Sequence, residues 1–340
     1  MGSLKISTLE LASVVKDGSA LDAINRSVES AQISERLGFE RIWFAEHHNM
    51  EYIASSATSV LIGHVAGKTS SIRIGSGGIM LPNHAPLVIA EQFGTLATLY
   101  PNRIDLGLGR APGTDQLTAM ALRRNNLNTS FYFKDDVQAL QQYFSLENSR
   151  SKVRAHPGEG LEIPLYILGS STDSAYLAAE LGLPYAFAAH FAPAMLSQAL
   201  EIYKANFKPS AHLAAPYVIV CVNVVAAPTT SEAEVLANSL YNMFAGILTN
   251  VRKPLSPPTE KPIYDGILEI ERAVDTMVSC TFAGDQAKIV KDLHDFANLH
   301  SVDEIMTTNY IYDNAKRLQS FEIIAAAVKE INTQRGYSVQ

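Results

Sequence analysis

Apolar and polar positions along the chain fall into two alternating patterns. Short β-branched or apolar runs are followed by longer segments in which apolar residues recur at helical spacing. The runs predict strands at Leu4–Leu11, Arg41–Ala45, Ile72–Ile79, Ile104–Leu108, Leu165–Gly169, Tyr185–Ala188, Tyr217–Val225 and Asp303–Thr308. The intervening segments predict helices, among them Ala20–Leu37, Leu87–Leu99, Ser174–Leu181, Ala194–Phe207 and Asn314–Glu330. Parallel neighbours need crossover connections of this length, and eight strand-then-helix units close naturally into a (β/α)₈ barrel, an α/β TIM barrel. The alternative is a doubly wound open sheet, but no Gly-x-Gly-x-x-Gly follows the first strand. Residues 1–340 read as one such domain. Two stretches exceed a simple connection: Arg110–Ile163 after strand four, and Asn250–Asp275 after strand seven, which carries Pro254, Pro257, Pro258 and Pro262. Loops after strand C-termini build barrel active sites, so both are candidate covers for a pocket; for the second, an inert surface insertion is the other reading.

Composition narrows the function classes. With 340 residues, 47% of them apolar and 18% charged, the chain suits a soluble globular protein with a substantial core. Its formal charge of −7 speaks against a nucleic-acid partner. The nearest approaches to a basic cluster, Arg123–Arg124 and Arg150–Lys152–Arg154, read as solvated surface. Cys221 lies in an apolar run and Cys280 beside Phe282; both read as small core residues rather than parts of a disulfide framework. No secretory signal pattern and no apolar run near the ~20 residues that span a bilayer are present. The expectation is a cytoplasmic protein with no membrane partner.

The unusual residues collect at the C-terminal ends of predicted strands. Strand two runs out into Glu46-His47-His48. Two histidines after a carboxylate can bind metal, move protons or sit buried and paired. Adjacent side chains on an extended strand point to opposite faces, and no strong ligand spacing surrounds them, so a metal is not expected. One histidine facing the mouth as donor or proton shuttle is the preferred reading. Strand three ends in Gly75-Ser76-Gly77-Gly78, a glycine density that suits either a planar ring lying against bare backbone or a rim bulge. Strand four leads into Gly109-Arg110, whose guanidinium suits an anion, or an ion pair with Asp105 or Asp115. Strand five ends in Ser170-Ser171-Thr172-Asp173-Ser174 ahead of a helix, an anion site or an ordinary N-cap. Taken together, Arg110 and this helix start outline a cradle for the phosphate of a cofactor.

These segments resemble the bacterial luciferase-like flavin monooxygenases, in particular the branch that carries Ala45-Glu46-His47-His48-Asn49-Met50, Gly75-Ser76-Gly77-Gly78-Ile79-Met80-Leu81-Pro82-Asn83-His84 and Gly107-Leu108-Gly109-Arg110-Ala111-Pro112-Gly113. The likeness runs nearly end to end, through Ile89–Phe93 and Leu168–Ser171 to Asp303–Met306. It implies a barrel, usually dimeric, that receives reduced FMN from a separate NAD(P)H:flavin reductase and uses O₂ on a small organic substrate. Arg110, Ser170, Ser171 and Ser174 would then hold the FMN phosphate. Gly77–Gly78 would form a non-proline cis peptide and bulge beneath the flavin ring. His47 matches the family's catalytic histidine, with Glu46, His48 and Glu91 around the same mouth. Light-emitting members carry a cysteine where this chain has Gly109 and a glutamate where it has Ser170, so luminescence and an aldehyde substrate are not expected. The changed phosphate side leaves the deazaflavin F420 as an alternative cofactor, and a flavin-binding protein without turnover as a further one.

Overall fold

The computed structural model describes residues 2–111, 113–123 and 127–337. Arg124 of the basic pair and Pro112 of the Gly107–Gly113 segment lie outside them. In chain order the elements are β1 (Lys5–Glu10), α1 (Ala20–Arg36), β2 (Arg41–Phe44), α2 (Thr58–Ala66), β3 (Arg73–Met80), α3 (Pro86–Leu99), β4 (Ile104–Gly109), α4 (Gln116–Arg123), α5 (Phe133–Phe144), β5 (Leu165–Gly169), α6 (Thr172–Leu181), β6 (Tyr185–Ala188), α7 (Leu196–Asn206), β7 (Val218–Ala226), α8 (Thr230–Leu248), α9 (Leu268–Met277), β8 (Thr281–Gly284), α10 (Gln286–His300), β9 (Glu304–Thr308) and α11 (Asn314–Gln334).

The sheet is parallel throughout and runs β6-β5-β4-β3-β2-β1-β9-β7, and a further β6–β7 pairing closes it into an eight-stranded TIM barrel. All eight predicted strands are present. The ninth, β8, was not foreseen: it pairs with Asn223–Ala226 of β7, above the stretch of β7 that pairs with β9. Its run, Thr281–Gly284, ends in a glycine and is only partly buried over its first three residues, so it lacks the continuous apolar character of the barrel strands. The two long segments are built rather than structureless. The first contains α4 and α5, and the second ends in α9. Leu255 in the second bridges to Val15, and Ser13 bridges to Ile53, so the loops after β1, β2 and β7 lie edge to edge over one end of the barrel.

Strands of a closed parallel barrel are covered on both faces, which is why β7 is buried along its whole length. Alternation sorts the two faces. On β2, Ile42 and Phe44 join the layer between barrel and helices, while Trp43 and the following Ala45 join Leu9, Tyr166, Ala186, Ile219, Cys221 and Met306 inside the barrel. The two cysteines are free and buried, as expected of core residues.

The closed end of the barrel holds a ring of charge. Arg41 donates to Asp105 (2.6 Å), Glu304 (2.9 Å) and the Tyr166 hydroxyl (2.7 Å). Asp105 also accepts from Trp43 and Arg73, and Glu304 from Ser7 and Tyr217. Burial works against the Arg41 charge, but Glu304 and Asp105 together outweigh it and hold its pKa above the ordinary value. Removing one partner from such a network strands the others without solvent. Arg41→Leu is therefore expected to lose about 3–5 kcal/mol in urea unfolding, with Arg41→Lys falling between it and the parent; a loss below about 1 kcal/mol would show that the ring is not closing the barrel.

Candidate functional site

The opposite end of the barrel gathers the C-terminal ends of the strands. Beyond β2 the chain stays extended through Ala45–His48, so the alternation continues. Glu46 and His48 point one way, and His47 keeps the inward parity of Trp43 and Ala45. The two histidines consequently do different things.

Glu46 is 1% exposed. Its Oε1 accepts from His48 Nε2 and His84 Nε2, each at 2.8 Å, and its Oε2 accepts from the Met80 backbone N–H at 3.2 Å. A carboxylate can only accept, so both imidazoles present N–H to it. Burial alone would raise the Glu46 pKa, but the bonds from His48, His84 and Met80 reverse this and hold it at about 2. The sequence reading expected no metal. The donor set that meets here is nevertheless of a metal-binding type, with ligand atoms within 4.8 Å of one another, and both histidines are hydrogen-bonded to the carboxylate. His84 was missed in the sequence. It reaches Glu46 across 38 positions, through the short 3₁₀ turn Leu81–Asn83 that follows β3. Glu91, by contrast, is not bonded into this cluster. It sits in α3, where Ile89, Ala90 and Phe93 are the buried positions, and no side-chain bond joins it to Glu46, His47 or His48 among the described residues.

His47 is half-buried. Its Nδ1 lies 3.1 Å from the Gly113 carbonyl; a carbonyl accepts, so Nδ1 carries the hydrogen and Nε2 keeps a free lone pair. Burial lowers its pKa below 6.5; the bond to Gly113 and the charge of Glu46 work against this without reversing it. The Gly113 loop, which follows β4, is clamped onto this segment by Thr114 to the His48 carbonyl (2.9 Å) and by Asn49 to Asp115 (3.3 Å). Gly113 has φ +65°, and a Cβ there would stand 2.8 Å from the Glu46 carbonyl oxygen. An open cavity of about 500 Å³ is lined by His47, Asn49, Met50, Glu51, Ile53 and Ser56. A second histidine that the sequence reading passed over, His190, is buried just beyond β6 within electrostatic reach of His47. It lies in the turn that follows β6, where strand alternation gives no signal.

Pairing between β3 and β4 jumps from Ser76–Leu106 to Ile79–Leu108, so the bulge expected at the glycines is present, and the Gly77–Gly78 peptide is cis. A Cβ on Gly77 would stand 2.7 Å from Leu9 Cδ1 and 3.0 Å from Trp43 Cβ, and one on Gly78 would stand 2.8 Å from the Gly107 carbonyl oxygen. The rim here is bare backbone because side chains do not fit.

Arg110 leaves β4 toward the start of α6. It pairs with Asp173 at 3.0 Å, not with Asp105 or Asp115, which are held by Arg41 and Arg73 and by Thr118. Both partners are exposed, so the pair is weak and open to exchange for another anion. Ser171 is the N-cap of α6, yet its hydroxyl makes no capping bond, which leaves the first-turn N–H groups without a side-chain acceptor. Ser170 is half-buried beside it. Ser174 differs from the reading made of it. Its hydroxyl is turned inward, committed to the Ser171 carbonyl (2.8 Å) and the Tyr185 hydroxyl (3.0 Å), and it supports the helix start from beneath.

Because the folded-state pKa of Glu46 is depressed, its contribution to stability is present above the unfolded value near 4.5 and fades as pH falls toward about 2. Glu46→Gln is expected to flatten that acid limb by about 3 kcal/mol in unfolding experiments between pH 5 and pH 2, and an unchanged limb would mean the carboxylate is not the hub described.

Residues 6–301 match the family model of luciferase-like monooxygenases. A luciferase-like monooxygenase of Escherichia coli K12 is 48% identical over 328 residues, covering 96% of this chain and 98% of the relative. The crystal structure of apo-MsnO8 superposes with a TM-score of 0.83 at 30% identity, covering 95% of this chain and 98% of that one. At 15–17% identity the likeness shows the fold alone. Such neighbours include the oxygenating constituent of 3,6-diketocamphane monooxygenase of Pseudomonas putida in complex with FMN (TM-score 0.72, 96% and 98% covered) and an F420-dependent secondary alcohol dehydrogenase (TM-score 0.69, 96% and 99% covered). With its barrel, its bulged diglycine rim and a match along most of its length, the chain belongs to the luciferase-like monooxygenase family.

Proposed function

We propose that this protein is the oxygenase of a two-component system: it takes reduced FMN from a separate NAD(P)H:flavin reductase and uses it with O₂ to oxidise a small organic substrate. The observation that carries this is one arrangement at the barrel mouth. An exposed guanidinium, paired only with an exposed aspartate, and an uncapped helix start lie on one side, side-chain-free backbone at Gly77–Gly78 forms the neighbouring rim, and an unprotonated His47 nitrogen faces the cavity.

The residues fit such a cofactor. Arg110, Ser170, Ser171 and the first-turn N–H groups of α6 would hold its phosphate, displacing Asp173 from the guanidinium. The bulge, closed to side chains, would back its ring. Bound reduced flavin supplies the electrons with which O₂ is activated. The chain's own work is then positioning, exclusion of water and one proton site. His47, fixed by the Gly113 carbonyl, is neutral at pH 7 and takes or gives a proton at Nε2. Glu46 and His48 hold the segment that carries it. The loops bearing Ile53, Val15 and Leu255, laid edge to edge, cover the cavity. The exposed apolar side chains Val60, Val88 and Leu99 on α2 and α3 support a homodimer. Among the described residues no helix is long and apolar enough to cross a membrane, in keeping with a cytoplasmic enzyme.

Arg110→Ala should weaken FMN binding about tenfold, read by fluorescence quenching, with a smaller loss at high salt. His47→Asn should keep FMN affinity within about threefold while turnover falls by about 10²–10⁴. The parent's acid limb should lie below pH 6.5, since turnover needs the neutral imidazole whose pKa is lowered. Oxygen consumption against aldehydes, ketones, sulfonates and amines, with and without a reductase, tests the assignment directly. Tight binding of reduced F420 without response to reduced FMN, or anaerobic turnover, would replace it with hydride transfer on the same scaffold.

A further inference from the structure

Past β6 the chain turns through Ala189 and His190, whose backbone and ring face are both held. Its carbonyl accepts from Asn223 Nδ2 at 2.7 Å. Asn223 is in turn locked on β7 by Thr281 of β8 (3.1 Å) and Thr308 of β9 (2.6 Å). Its ring meets Phe191 edge-on, with centroids 4.8 Å apart. The residue is 7% exposed, and Nδ1 is buried with no hydrogen-bond partner. A rigid support therefore presents an unsatisfied nitrogen. Native proteins keep few such atoms, because a buried polar group without a partner costs stability. Two observations put this one beside the proposed site: it follows the C-terminal end of a barrel strand, and it lies within electrostatic reach of His47. Burial, reinforced by His47, drives its pKa down to about 3, so the ring is neutral at physiological pH.

We propose that His190 is a ligand-contacting residue, whose Nδ1 is completed by an uncharged polar group (a carbonyl, an imide N–H or a hydroxyl) of the molecule bound beside His47. The flavin ring edge and the organic substrate both carry such groups, and the identification of the flavin rests on the function proposed above.

The test uses the full chain as parent, His190→Phe and His190→Asn; asparagine places a polar atom near the position of Nδ1. In ligand-free protein, His190→Phe is expected to melt at or above the parent temperature, since it removes an unpartnered atom. It should also raise the Kd for FMN, or the KM for the best organic substrate of the turnover panel, by roughly fivefold to tenfold. His190→Asn should restore the affected constant to within about threefold. A changed Kd assigns the contact to the flavin; a changed KM at constant Kd assigns it to the substrate. A ligand-free His190→Phe that melts several degrees lower, with Kd and KM unchanged, gives His190 a packing role and overturns the proposal. Should the parent bind reduced F420 and not FMN, the proposed function fails while the same three chains, titrated with F420, still decide the role of His190. A parent that binds neither overturns both.

Discussion

The open end of this barrel is held in shape by one buried carboxylate. Glu46 stands where β2 gives way to loop, and through Met80 and His84 it seizes the chain just past the bulge of β3. Without it, two strand ends that must leave the sheet in different directions have no shared anchor. A carboxylate suits the task because it accepts several bonds at once, and three N–H groups converge on its two oxygens. Its burial would be costly if it were unpaired; with these donors it is held ionised instead. The strict alternation of an extended chain then leaves His47 as the residue that turns to the cavity.

The two ends of the barrel divide the labour. At the closed end, Arg41, Asp105, Glu304, Arg73 and the two tyrosines satisfy one another and bind six strand regions together. Every charge there has a partner, which is what a structural network requires. At the open end satisfaction is incomplete. Arg110 has only an exposed aspartate, the Ser171 hydroxyl makes no cap, and His190 Nδ1 has nothing. Groups left short on a rigid scaffold are groups ready for a ligand. The contrast supports placing the proposed site at the open end.

Much of this was legible in the sequence. Eight strands, their parallel order and the Gly77–Gly78 bulge follow from short apolar runs, crossover lengths and a glycine density that regular strands avoid. The convergence of Arg110 on the helix start after β5 follows from barrel geometry, because adjacent strands end side by side. What was not legible depends on distance along the chain or on parity. His84 is tied to Glu46 by a turn whose path no local pattern encodes. Glu91 sits in a sequence segment like that of relatives, but helical rotation sets it apart from Ala90 and Phe93. Ser174 looked like one hydroxyl of three, and the turn of the helix pointed it at Tyr185. His190 was overlooked because it lies in the turn past β6, where the alternation of the strand no longer applies.

The same parity explains a departure from light-emitting relatives. Gly109 and Met80 are register partners at the ends of β4 and β3, so their side chains compete for one space at the rim. Met80 fills it: a Cβ on Gly109 would stand 2.8 Å from Met80 Cε and 3.0 Å from Sδ. A cysteine at position 109 would thus need Met80 to move, and Met80 is the residue whose N–H is bound to Glu46 and whose Cγ would lie 2.9 Å from a Cβ on Gly113. The glycine just before Arg110 is therefore coupled to the anchoring of the His47 segment through Met80. A pocket rebuilt by that one exchange would shift the support of its proton-carrying residue along with its shape. At this rim the glycine is set by packing volume acting on a hydrogen-bonded anchor.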